Sequence, residues 1–122
     1  MQRFSKDYPK RGQIYITDLD PSFGREIHKK RPVLIVSSNT FNKGTPYVVV
    51  IPVSSIVPNQ ISIDIVPLGK VSGIHKNSVL LPLFIRSIDK DRLVKRVGSI
   101  SREKLIEVEE ALKLVLGMVK LD

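Results

Sequence analysis

Arg31 is the side chain whose neighbours best equip it for chemistry. It closes the run His28, Lys29, Lys30, Arg31 and is followed by Pro32 and the apolar stretch VLIV. A residue that precedes proline is pushed into extended backbone, so Arg31 should enter a strand with its main chain already fixed. A guanidinium anchored there can grip a phosphate through two parallel hydrogen bonds. Flexible lysines beside it, Lys29 and Lys30, would add field rather than geometry. The bland alternative is a solvated loop, the usual fate of a charge run. The second candidate is Ser54, at the end of the run 47–54 (YVVVIPVS). Its hydroxyl could simply satisfy a backbone group at a strand end. It could also stand beside Arg31, because the start of one strand and the end of the next lie together in an antiparallel hairpin.

Other groups point less sharply. His28 and His75 could act as an acid–base pair, but both fall in loops with no ligand cluster close in sequence, and each reads as a solvated loop residue. A metal site is not expected, since ligand-type side chains at metal spacing are missing. Phe23, Phe41 and Phe84 could stack on bases or simply pack. Arg86 and Asp89 could form a local ion pair that braces a turn. The chain has no P-loop, no G-x-S-x-G, no H-E-x-x-H and no dinucleotide-binding glycine fingerprint.

The elements that would position these groups are mostly short strands. Residues 13–19 (QIYITDL) alternate apolar and polar, as a half-buried strand does. Residues 20–31 hold Pro21 and Gly24 and read as a loop. Residues 32–38 are a nearly continuous apolar run, typical of a central strand. Residues 39–46, rich in Asn, Gly and Pro, read as a turn. The third strand is 47–54, where Pro52 marks an edge or a bulge because it cannot donate. Further strands are expected at 60–66, 77–82, 84–88 and 96–100, with a short helix over 89–95 capped by Asp89. The clearest helix is 101–118, capped by Ser101 and closed by Gly117, with Leu105, Val108, Leu112, Val115 and Leu116 at helical spacing. Many short strands before one C-terminal helix imply a mainly β fold with helical additions: an antiparallel, partly closed barrel, not a βαβ pattern.

The chain of 122 residues fits one domain, 1–122, with residues 1–11 as a loose lead-in. No window approaches the roughly 20 apolar residues of a membrane span, and the N-terminus has no signal-like apolar stretch, so the cytoplasm is the expected compartment. No cysteine is present, which excludes disulfides and thiolate chemistry. Lys and Arg number 20 against 12 Asp and Glu, a net charge of +8. A small basic domain often meets a polyanion, most often nucleic acid.

The segments 11-RGQIYITDLDPSFGREI-27, 31-RPVLIVSSNTFN-42, 46-PYVVVIPVSS-55, 78-SVLLP-82 and 85-IRSIDKDRL-93, with the helix ending in 111-ALKLVLGM-118, resemble the MazF/PemK (Kid-like) toxins of type II toxin–antitoxin systems. The resemblance runs over about residues 11–118, and the order of its motifs is specific. It implies an SH3-like, partly closed β-barrel plus C-terminal helix of the MazF/PemK/CcdB type, forming a homodimer. It also implies a metal-independent endoribonuclease without cofactor that cuts single-stranded RNA at short sequences and inhibits growth. The expected inhibitor is a MazE-like antitoxin with a flexible acidic tail, which a basic groove would attract.

Carried onto this chain, the resemblance makes Arg31 the catalytic arginine and puts Ser54 where many members carry a catalytic threonine. Arg25 stands where some members place a histidine or serine implicated in catalysis, and His28 is a second supporting candidate. RNA-binding positions are then expected at Phe23, Glu26, Lys29, Lys30, Asn39, Phe84 and Arg86. Phe84 replaces a glutamine of some members. Two alternatives of similar fold stay open: a nucleic-acid-binding module that does not cleave, and a poison of DNA gyrase.

Overall fold

Alternation in the first strand is the pattern from which the sheet is built. A computed structural model describes residues 7–18, 30–56 and 64–119. In β1 (Gln13–Asp18), Ile14 is fully buried and Tyr15 turns to the opposite face. β1 pairs antiparallel with β2 (Lys30–Ile35), and β2 with β3 (Tyr47–Ser54). β4 (Val66–Pro67) pairs with β5 (Val79–Leu80), and β5 and β6 (Arg86–Asp89) share one edge of β3. β7 (Leu93–Ser99) returns to pair with β1. The order is β4-β5-β3-β2-β1-β7, with β6 beside β3. The sheet is antiparallel as expected, and no ladder among the described residues joins β4 to β7 to close it.

The two faces of the sheet carry separate apolar clusters. Ile14, Leu34, Ile51 and Val53 lie on one face, packed with Val108 and Ala111 of the last helix. Val33, Ile35, Val48, Val50 and Ile88 lie on the other, with Tyr15 and Leu93 against them. Burying an Ile, Leu or Val side chain stabilises by about 1.5–3 kcal/mol. A central strand buried on both faces must therefore be apolar at nearly every position, as residues 33–36 are.

The last helix, α2 (Arg102–Val115), begins as expected: Ser101 Oγ accepts from the Lys104 amide at 3.0 Å. It ends in a Schellman motif, with the Met118 amide bonded to Lys113 O at 2.8 Å and Gly117 at φ +71. Val108 and Ala111 are buried, whereas Leu116 is exposed.

Several expectations are corrected. The turn at 39–46 contains a helix, α1 (Asn39–Gly44), capped by Ser38. It is held by the buried Asn42, whose Nδ2 donates to Ser37 O at 2.9 Å and whose Oδ1 accepts a hydrogen bond from the Ser37 hydroxyl. A six-residue helix needs no apolar period, which is why composition reads as a turn. The helix expected over 89–95 is a single 3-10 turn, Lys90–Arg92. Asp89 does cap it, accepting from the Asp91 amide at 2.8 Å rather than pairing with Arg86. The strand expected at 84–88 is preceded by a 3-10 turn, Pro82–Phe84, and starts at Arg86. Within the described part of the lead-in, Pro9 is buried, Arg11 Nε donates to Val36 O at 3.0 Å, and Arg11 Nη1 meets Glu109 at 2.8 Å. Residues 60–63 of the expected fourth strand lie outside the described residues.

Candidate functional site

The site is set by two prolines that end hydrogen bonding at one corner of the sheet. The Val36 amide donates to Val49 O at 2.9 Å, so the even-numbered residues of β2 address β3 with their backbone groups. Pro32 is the next such residue towards the start of β2, and it has no N–H to offer. The ladder between the strands accordingly ends at Val33 opposite Pro52. Pro52 addresses the other side of β3, where its carbonyl accepts from the Leu81 amide at 3.1 Å. There the facing chain leaves the sheet as the turn Pro82–Phe84 before rejoining it at Arg86 opposite Val50. Pro52 thus marks a bulge, carried by its partner.

Arg31 and Ser54 lie two residues beyond the last β2–β3 pair. The pairs Val33–Pro52, Leu34–Ile51 and Ile35–Val50 define the register. Extended by two residues, that register sets Arg31 opposite Ser54. Both belong by alternation to the face of Val33, Val50 and Ile88. Arg31 is exposed. Ser54 is half-buried and closes a small turn: Oγ accepts from the Ile56 amide and donates to Ile56 O, each at 3.1 Å. The strand-end role considered for this hydroxyl is therefore present in the structure.

The remaining candidates divide. Arg86 is opposite Val50, exposed, and on the same face as Arg31 and Ser54. Phe84 is exposed on the turn that follows Leu81, and so lies near Pro52. Lys30 alternates to the other face from Arg31 and meets Asp18 at 4.0 Å. Asn39 is at the far end of β2, where its Oδ1 accepts from the Arg11 amide at 2.8 Å; it is not brought to the Arg31 corner. Phe23, Arg25, Glu26, His28 and Lys29 lie outside the described residues. His75 is exposed, and its Nδ1 accepts from the Asn77 amide at 3.2 Å.

Two further cations stand out: Arg96 belongs with this face, and Arg92 lies at the Arg31 end of β1. Arg96 stands opposite Tyr15 on β1. Burial raises the Tyr15 phenol above its ordinary pKa, the Arg96 cation pulls it back in part, and Asp7 pushes it up again. Arg92 Nη1 donates to Asp18 O at 3.4 Å, at the same end of β1 that faces Arg31. The segment 85–93 carries the signal for Arg92, whereas Arg96 lies in 96–100, a stretch that reads only as a strand. Arg31, Arg86 and Arg96 give this side of the sheet a cationic field suited to a phosphate chain, with Arg92 at its edge beside Asp18. Among the described residues, no three His, Cys, Asp or Glu side chains gather as metal ligands would, and no helix is long and apolar enough to cross a membrane.

Residues 10–116 match the sequence model of a family described as PemK-like, MazF-like toxin of type II toxin–antitoxin system. The chain is 35% identical over 118 residues to Endoribonuclease MazF of Staphylococcus epidermidis, covering 93% of this chain and 95% of that protein. It is 32% identical over 115 residues to Endoribonuclease EndoA of Bacillus subtilis (strain 168), covering 90% and 96%. Among solved structures it is similar to a MazE-MazF complex (Form-II) from Deinococcus radiodurans, with TM-score 0.79 and 26% identity over 92% of this chain and 98% of that one. It is also similar to an endoribonuclease in complex with its cognate antitoxin from mycobacterial species, with TM-score 0.75 and 26% identity over 93% and 99%.

Proposed function

Since the chain belongs to the PemK-like, MazF-like toxin family of type II toxin–antitoxin systems, we propose that it is an endoribonuclease that cuts single-stranded RNA at a short sequence without a metal ion. The observation that carries this reading is the β2–β3 register, which, extended two residues past Val33–Pro52, sets Arg31 opposite Ser54 on a cationic face.

RNA supplies its own nucleophile. The 2′-hydroxyl oxygen attacks the adjacent phosphorus, the bond to the 5′-oxygen breaks, and the products are a 2′,3′-cyclic phosphate and a 5′-hydroxyl. The 2′ proton passes to a base, and the departing 5′-oxygen takes up a proton. Arg31 presents a guanidinium that only donates hydrogen bonds, so it serves as a stabiliser of the phosphorane's extra negative charge rather than as the base. Ser54 orients the phosphate. Its single proton points to Ile56 O in the described turn, so donation to a phosphate oxygen requires the hydroxyl to rotate away from that carbonyl. Arg25, His28 or a water molecule takes the 2′ proton. Phe84 and Arg86 extend the RNA contact along the same side.

The protein acts in the cytoplasm as a homodimer, and an antitoxin with an acidic tail occupies the same cationic face and blocks it. The test is cleavage of a long mixed-sequence RNA in EDTA by wild type and Arg31→Ala side by side, with the product ends mapped. We expect cuts at a recurring short sequence with 5′-hydroxyl ends and a loss of about 10²–10³ in rate for Arg31→Ala. A folded wild-type protein that leaves the RNA intact would refute the reading and direct attention to non-cleaving binding and to gyrase.

A further inference from the structure

We infer that Thr17 is a positioning residue for Arg31, acting through the Arg31 main chain. The inference rests on the ribonuclease reading above.

Thr17 is fully buried, on the strand that lines the Arg31 corner. Its Oγ1 donates to the Arg31 carbonyl at 2.8 Å. Thr17 and Arg31 are also direct partners in the β1–β2 register. A threonine and a valine have nearly the same shape, and a buried hydroxyl is unfavourable unless it is bonded. An apolar strand position that carries threonine therefore gains from the hydroxyl only through the bond it makes. Here that bond ends on the residue proposed to hold the scissile phosphate.

The position of Arg31 explains why such a bond matters. A residue inside a sheet is steadied by strands on both sides. Arg31 lies past the end of the β2–β3 ladder, because Pro32 has no proton to give to β3. Among the described residues its main chain is thus fixed from the β1 side, and Thr17 adds a side-chain bond to that support. The Arg31 carbonyl lies between its own Cα and the Pro32 ring, so holding it limits rotation about the bond that aims the Cα–Cβ direction. A long guanidinium side chain magnifies any error at its base, and a misplacement of about 1 Å can cost on the order of 10²-fold in rate. Thr17 touches neither RNA nor the reacting atoms; its effect passes through the backbone.

Three variants test this: Thr17→Val, Thr17→Ser and Arg31→Ala, each compared with wild type on a long mixed-sequence single-stranded RNA. The rate constant at saturating protein, the half-saturating protein concentration and the thermal midpoint would be measured for each. Thr17→Val should lose roughly 10- to 100-fold in the rate constant with half-saturation unchanged. Thr17→Ser, which keeps the hydroxyl and loses the methyl group, should stay close to wild type. A packing role predicts the reverse order, with valine harmless and serine damaging, and that order would overturn the proposal. Thr17→Val cleaving like wild type while Arg31→Ala is inactive would overturn it and leave the ribonuclease reading standing. A Thr17→Val chain that does not fold would assign the hydroxyl to stability and overturn it as well. A wild-type protein without cleavage would remove both readings together.

Discussion

Gly98 in β7 lies so close beneath Val71 that a Cβ on it would stand 2.9 Å from Val71 Cγ1. Gly98 is paired with the fully buried Ile14, so the crowding falls on the face that α2 covers. Gly98→Ala should destabilise the fold by about 1–3 kcal/mol through overpacking. Adding Val71→Ala should recover much of that loss, giving a coupling of about 0.5–3 kcal/mol in a double-mutant cycle measured by urea unfolding. Additive losses would mean that β7 yields instead of Val71.

Ser54 closes a turn in the structure and has a proposed second role at the phosphate, and substitution can divide the two. Ser54→Ala removes both bonds to Ile56 and should lower stability by about 1 kcal/mol. It should also slow RNA cleavage by roughly 10²-fold. Ser54→Thr keeps the hydroxyl and should preserve both. A Ser54→Ala enzyme with normal cleavage and reduced stability would confine Ser54 to the turn.

Arg86 is exposed on the face that carries Arg31, where it should act as a phosphate contact. Binding of a 2′-O-methyl RNA, which lacks the nucleophile, can be followed against salt concentration. Arg86→Ala should flatten the slope of log affinity against log salt by about 0.7 for one lost contact to a single strand. An unchanged slope would place the RNA elsewhere.

Tyr15 gives the protein an alkaline limit. Its phenol is held above the ordinary 10.0, mainly by burial. The folded chain therefore keeps this proton at pH values where the unfolded chain has lost it. The contribution to stability is complete below about pH 10 and declines as pH rises through the folded value. Tyr15→Phe should show a shallower loss of stability than wild type between about pH 9 and pH 11. Parallel curves would exclude Tyr15 as the source.

How far the sequence carried these conclusions depends on the kind of signal. The third strand was readable to its ends, Tyr47 and Ser54, because a β-branched run between turn residues has few alternatives. The caps Ser101 and Asp89 were also legible, since their side chains bond within three residues. The antiparallel pairing that brings the start of β2 to the end of β3 followed from hairpin logic. Helix α1 was not legible, because what stabilises it is the Ser37–Asn42 contact and not its own periodicity. The same holds for the Thr17–Arg31 bond, between residues 14 apart that only the register makes neighbours. Lys30 is expected from sequence to add field beside Arg31, yet alternation sends it to the other face and to Asp18.

Pro32 and Pro52 bear on folding as well as on the finished site. In the native register Pro32 falls where the β2–β3 ladder stops, and Pro52 where its neighbour has bulged away. Slipping β2 by one residue against β3 would exchange the two faces of a strand. Arg31 would then turn towards the side covered by α2, where an unpaired charge is unfavourable. The same slip would bring a proline nitrogen into a rung that requires a proton. Mispaired chains are thus disfavoured twice over, by a misplaced charge and by a broken rung. Two imino acids that look like interruptions in a strand act as a proofreading device for its alignment.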